Sequence, residues 1–263
     1  MRAPSLWNFP GTRAVAFAAI GFLYLPIVVL VTISFSAGDS LSQWSGFSLR
    51  WYGEVMANDD MQRAIGNSLV VACTAMLAGT TGATLAALAL ARGRFRGRRA
   101  AETLLALPLV VPEIVGGIAI LMFFVLVGIR LGIVSIILAH IVFVMPFAYL
   151  PIRARLDGLD PALAEAAADL YAGPARTFLR VTLPLIWPGI AAGAMLAFIG
   201  SLGDVVVSYF VSGPGATTLP VYIFGMVRMG VTPMVNAISS LLLFASLTLL
   251  TLAWLLGRRF NRS

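Results

Sequence analysis

Two carboxylates stand where a carboxylate is expensive. Glu113 follows Pro112 inside an apolar stretch at 104–127, and Asp204 lies near the end of another at 185–207. An ionisable side chain at hydrocarbon depth costs about 2.5–3.5 kcal/mol on insertion scales, so each is a functional candidate by default. Anions in a greasy wall can stabilise a passing cation. The same groups could instead complete structural salt bridges, with Arg130 or Arg228, or satisfy backbone donors. Residue type alone leaves these readings open.

The remaining reactive side chains exclude more than they offer. All 18 basic residues are arginine. Without lysine there is no Walker-type phosphate loop and no Schiff-base chemistry, so any ATP that drives this chain is bound by another subunit. A single cysteine, Cys73, and a single histidine, His140, rule out an internal disulfide and a Cys/His metal cluster. No catalytic constellation emerges and no cofactor is expected. Cys73, in an apolar run, reads as a small buried hydrophobe, and His140 as a hydrogen-bonding partner between helices. Tyr209, Trp187 and Tyr222 suit interfacial anchoring.

The elements that must position these groups follow from the solvent. The chain is 60% apolar and 11% charged, against about 25% charged in soluble domains. Six apolar stretches, roughly 14–35, 67–91, 104–127, 132–151, 185–207 and 236–256, each approach the ~20 residues a helix needs to cross the hydrocarbon core. The expected fold is an all-α polytopic bundle, one membrane domain over 1–263, without internal repeats. With the N-terminus inside, 14 arginines fall on inner segments and 4 on outer ones, which places both termini in the cytoplasm. The basic run Arg92–Arg99 then reads as a topogenic loop, not a nucleic-acid site. Pro108, Pro112 and Gly116-Gly117 predict a kink or break in the third span beside Glu113, and irregular backbone at that depth needs protein or a water-filled cavity around it. In the outer loop 36–66, residues 48–56 read as a short interfacial helix, with Trp44, Trp51 and Tyr52 at the membrane boundary.

The cytoplasmic loop 152–184 holds a helix–turn–helix. Asp160 caps a helix that opens with Pro161 and runs to Tyr171. Leu163, Ala166, Ala167 and Leu170 share one face. Gly173-Pro174 breaks it and starts a second short helix that Pro184 should end. Such a device either closes its own bundle or docks a cytoplasmic partner.

The segment Glu165-Ala-Ala-Ala-Asp-Leu-Tyr-Ala-Gly-Pro174 through Val181-Thr-Leu-Pro184 resembles the EAA loop of ABC-importer permeases. That family's pattern is Glu-Ala-Ala, three residues, glycine, and later Ile-x-Leu-Pro. Glu165, Ala166, Ala167, Leu183 and Pro184 match it. The resemblance implies a type I importer permease whose segment, with Asp169, Leu170 and Gly173, seats in a cleft of a separate ATPase dimer. Tyr171 departs from the pattern, standing where the family has glycine, and Gly173 is expected to supply the turn instead. Leu49-Arg-Trp-Tyr-Gly-Glu54, Pro108–Gly117, Phe210–Pro220 and Val227–Ala237 are similar to putrescine/spermidine permeases. That likeness implies a bacterial inner-membrane protein passing a small cation. Its partners would be the bilayer, an ATPase dimer, a second, homologous permease chain and a soluble solute-binding protein. Glu113 and Asp204 would line the path, with aromatic or apolar walls suiting a polyamine. A stand-alone secondary transporter would need no docking helix and commonly shows an internal repeat. A channel, an ABC permease for a different small solute, or a membrane enzyme completes the alternatives.

Overall fold

The computed structural model describes residues 11–40, 43–92, 96–230 and 232–260. Its contacts fall into two compact units, Met1–Asp59 with Gly225–Ser263, and Asp60–Phe224.

In the first unit, helix α1 (Thr12–Ser34) leads to a loop and α2 (Arg50–Ala57). The long helix α12 (Pro233–Phe260) packs on both. The loop builds a small core of its own. Phe35 stacks on Phe47 at 5.4 Å and meets Tyr52 at 5.1 Å. The Trp51 indole N–H donates to the Ser36 carbonyl at 2.9 Å, and the Tyr52 hydroxyl bonds Ser34 at 2.6 Å. Trp51 is therefore buried against the end of α1 rather than anchored in lipid. Arg50 pairs with Glu54 at 2.7 Å and covers the Trp51 ring at 4.8 Å.

The second unit carries α3 (Asp59–Arg92, described here from Asp60), α4 (Arg98–Val110), α5 (Glu113–Val127), α6 (Ile133–Asp157), α7 (Ala162–Asp169) and α8 (Pro174–Thr177). A π turn (Phe178–Thr182) then runs into α9 (Leu183–Gly203), followed by α10 (Val206–Val211) and the start of α11 (Leu219–Met229). Among the described residues, four helical runs are long and apolar enough to span a bilayer: α1, α3, α6 and Pro174–Gly203. The pair α4–α5 adds a fifth if its halves, bent by 114°, form one broken span. The predicted stretch 236–256 lies within α12, whose apolar described part is Pro233–Thr248.

Small residues let these helices approach. Apolar burial gives little drive between helices in lipid, so close van der Waals packing must supply it. Along α3, Ala75, Gly79, Ala83 and Ala87 recur every fourth residue, and the three alanines are fully buried. They face Val144, Ala148 and Ile152 of α6. Gly189, Gly193 and Ala197 form the same pattern on α9. A Cβ at Gly193 would sit 2.6 Å from the Ala148 carbonyl oxygen, and one at Gly189 would sit 2.9 Å from that of Pro151.

Two expectations are corrected. Cys73 is exposed, because the inward stripe of α3 passes through Ala72 and Ala75 and leaves it on the opposite face. Its apolar neighbours reflect the bilayer, not a core. Pro184 does not end the second loop helix. The chain stays helical from Pro174 to Gly203 because the turn before Pro184 widens, the Leu183 N–H reaching back to the Phe178 carbonyl. That extra residue makes room for a ring that would otherwise clash with the preceding turn.

Candidate functional site

The third predicted span breaks where its prolines lie. Val111 and Pro112 are extended, with ψ of 130° and 133°, as the residue before a proline favours. Glu113 is then the first residue of α5 and is exposed. An anion at this position is favoured by the partial positive charge of the free N–H groups. Two glycines seat the first turns of α5 on their neighbours. A Cβ at Gly116 would meet the Phe143 ring of α6 at 2.7 Å, and one at Gly117 the Phe210 ring of α10 at 2.8 Å.

Asp204 also marks a break. It ends α9 in extended conformation, with ψ 127°, and its carboxylate accepts from the Val207 and Ser208 amides at 3.3 and 2.7 Å. These are otherwise orphan donors at the start of α10. Its neighbour is His140 of α6, with Nε2 3.2 Å from Oδ2. The histidine also meets Ser201 of α9 through Nδ1 at 2.7 Å and Ser208 of α10 through Nε2 at 2.9 Å. His140 thus joins helices, as its setting predicted. Its partners were not legible, because they are 61 and more residues away. α5, which Glu113 opens, packs on α10, which Asp204 caps. Two helix breaks thus put the two membrane carboxylates on packed elements, with Glu113 exposed and the Asp204 side chain 9% exposed. Beside them, Tyr209 meets Phe210 at 5.9 Å and Phe224 at 6.2 Å, both edge to face.

The loop residues lie at the other end of this unit. Asp160 caps α7 through the Ala162 N–H at 2.9 Å. Of the predicted apolar face only Ala167 is buried. Glu165, Ala166 and Asp169 are exposed, as are Leu163 and Leu170, the latter by 82%. Leu183 is half-buried and Pro184 exposed. A cleft of about 470 Å³ lies among Leu156, Asp157, Asp160, Leu163, Glu165 and Val181. The turn after α7 corrects the expectation about Gly173. Tyr171 itself takes φ +56°, and among the described residues no other non-glycine has a positive φ. Gly173 is extended, at φ −63° and ψ 160°. The Ala172 N–H reaches the Ala167 carbonyl at 3.0 Å, so α7 closes in a Schellman turn that needs a left-handed residue at 171.

Residues 78–263 match the family described as the binding-protein-dependent transport system inner membrane component. The chain belongs to that family. It is 42% identical over 248 residues to the putrescine transport system permease protein PotI of Escherichia coli K12, covering 92% of this chain and 88% of the relative. It is 40% identical over 249 residues to the spermidine/putrescine transport system permease protein PotC of Haemophilus influenzae, covering 95% and 97%. In fold it is similar to a bacterial ABC transporter involved in import of the acidic polysaccharide alginate, with a TM-score of 0.74, 20% identity, and 97% and 99% coverage. It is also similar to an amino acid ABC transporter solved with histidines, with a TM-score of 0.62, 18% identity, and 80% and 98% coverage.

The permease is thus an inner-membrane transport subunit of a binding-protein-dependent importer. Membership in this family accounts for the absence of a lysine-bearing phosphate loop, because permease and ATPase are separate parts of such importers. Tyr171 carries a measurable consequence. A left-handed non-glycine residue costs roughly 1–2 kcal/mol, and the extra chain entropy of glycine offsets roughly 0.5–1 kcal/mol of that. Tyr171→Gly in the permease is expected to stabilise the end of α7 by about 0.5–1 kcal/mol. Slower hydrogen exchange at the Leu170 and Ala172 amides would register it, and unchanged or faster exchange would contradict it.

Proposed function

We propose that this permease, acting as one unit over its whole length, forms half of the path through which a polyamine, putrescine or spermidine, enters the cell. The carrying observation is that Glu113 and Asp204 each stand at a helix break, on elements that pack together, in spans otherwise nearly free of acidic groups. An α,ω-diammonium chain needs separated negative charge and an apolar or aromatic wall. Here Glu113 offers a carboxylate at the exposed break, and Asp204 adds its field from behind. The names of the PotI and PotC relatives support the same cargo.

The second half of the path would come from a homologous permease chain, and a soluble binding protein would deliver the cation from outside. With both termini in the cytoplasm, the segment 161–184 faces an ATPase dimer. Glu165, Ala166, Ala167, Asp169, Leu170, Gly173, Leu183 and Pro184 would carry the ATPase's closing motion through the π turn into α9. Exposed Leu163 and Leu170 support docking over self-capping, because little of the loop's apolar face is covered by its own chain.

The test is uptake of radiolabelled putrescine and spermidine by the assembled importer carrying Glu113→Gln and Asp204→Asn together. A fall on the order of tenfold or more is expected, against a neutral solute as control. Undiminished uptake at normal expression removes the two carboxylates from the path.

A further inference from the structure

A buried polar cluster among the described membrane-spanning residues has a centre that the proposed path does not use. His140 is 1% exposed, Ser208 fully buried and Ser201 5% exposed. They come from α6, α10 and α9, and the Asp204 side chain, 9% exposed, lies among them. We propose that His140 is the positioning residue for Asp204. It fixes the orientation of that carboxylate, and with it the geometry of the α9–α10 break, and so sets the negative field in the path. This inference rests on the path role given to Asp204 above.

The hydrogen-bond inventory allows one consistent arrangement for a neutral ring. Nε2 carries the proton, shared between Asp204 Oδ2 at 3.2 Å and Ser208 Oγ at 2.9 Å. Nδ1 then accepts from the Ser201 hydroxyl at 2.7 Å. The ring thereby touches the last turn of α9, the capping carboxylate and the first turn of α10. The two backbone donors on Asp204 belong to α10 alone, so they tie the carboxylate to that short helix but not to the bundle. His140 supplies the link to α6, the helix on which α9 is most extensively packed. A second bond ties the far end of α10 to the same helix, where the Ser135 hydroxyl donates to the Val211 carbonyl at 2.8 Å. Of the two anchors, only the one at His140 reaches a charged group. Without it, Asp204 and α10 can turn together relative to α6, and the carboxylate no longer points at a fixed place beside Glu113.

The prediction is an interaction between sites, read by a double-variant cycle in the full importer. His140→Leu keeps the bulk but removes both ring bonds, and is expected to lower putrescine uptake about tenfold. His140→Gln restores a donor toward Asp204 and is expected to recover uptake to within about threefold of the original protein. Because His140 acts through Asp204, adding His140→Leu to Asp204→Asn should lower uptake little beyond Asp204→Asn alone. Multiplicative losses in the double variant would overturn the proposal. So would a silent His140→Leu, whatever Asp204→Asn does, and so would a His140→Gln as impaired as the leucine variant at equal thermal stability. A silent Asp204→Asn beside an impaired His140→Leu refutes the path role of Asp204 together with this inference. An impaired Asp204→Asn beside a silent His140→Leu leaves the path role standing and removes only the positioning role.

Discussion

Valine at position 193 is expected to abolish the folded permease. Gly193 is buried on α9, against the backbone of α6. A Cβ there would lie 2.6 Å from the Ala148 carbonyl oxygen, 3.1 Å from its Cα and 3.3 Å from its carbonyl carbon. All three are backbone atoms of α6, so no side chain can rotate away and the helices themselves must separate. Ala148 and Ala197, both fully buried in the same cluster, are then exposed to the gap. Gly189 one turn earlier, against Pro151 and Arg155, leaves no room to pivot. Overpacking costs typically 1–3 kcal/mol. A branched side chain against rigid backbone belongs at or above the top of that range, a large share of the stability of a small membrane bundle. Gly193→Val should therefore fail to accumulate, or melt far lower in detergent. Gly193→Ala should fall between it and the original protein. Gly200→Ala, on the same helix with open space around its Cβ position, should melt normally. Equal melting of Gly193→Val and the original protein would mean that α6 and α9 are not in contact at this point.

The helix-to-helix spacing was legible in composition, and the junctions only partly. Apolar length located α1, α12 and the start of α6 within a few residues, because a bilayer imposes that length on any spanning helix, but α6 runs six residues past the predicted end at 151 into the segment read as loop. It missed the first eight residues of α3, since a helix can project beyond the lipid without an apolar signal. Pro112 announced the break beside Glu113, because a missing N–H and a restricted neighbour are local effects. The break at Asp204 carried no such mark. Neither Gly203 nor Asp204 ends a helix by itself, and only the fold shows Asp204 turned onto the amides of α10. The same limit explains Cys73. Hydropathy in a membrane segment reports lipid as strongly as core, so an apolar run cannot tell which face is inside. The four-residue rhythm of Gly189, Gly193 and Ala197 was present in the sequence and would have identified the α9 face that meets α6. Tyr171 shows the reverse case. A glycine two residues on looked like a substitute for the turn. But the Schellman geometry fixes the left-handed residue by its distance from the last helical turn, so the position and not the residue type decided.

An acidic substitution at Leu170 is expected to uncouple the importer without harming the permease. Leu170 is 82% exposed and Tyr171 97% exposed, at the tip of the helix–turn–helix where α7 closes. Two large apolar side chains side by side, held out by a left-handed turn, form a rigid knob, and such a knob gains free energy only by entering another protein's cavity. The proposed occupant of the other side is the ATPase. Leu170→Asp would carry an unpaired carboxylate into that contact. It would lose the apolar burial, on the order of 2 kcal/mol, and add a desolvation cost of similar or greater size. Co-purification of the ATPase with the permease should fall by more than about 30-fold in apparent affinity, and ATP-driven uptake should fall with it. Detergent melting of the isolated permease should not change, because the side chain touches little of its own chain. Glu165→Lys, on α7 and also exposed, should weaken capture through charge instead, and added salt should narrow its difference from the original protein. Leu170→Asp has no such screening remedy, so its defect should persist at high salt. Retention of full ATPase capture by Leu170→Asp would place the docking contact elsewhere on the inner face, and the transmission of force through α7 and the π turn into α9 would fall with it.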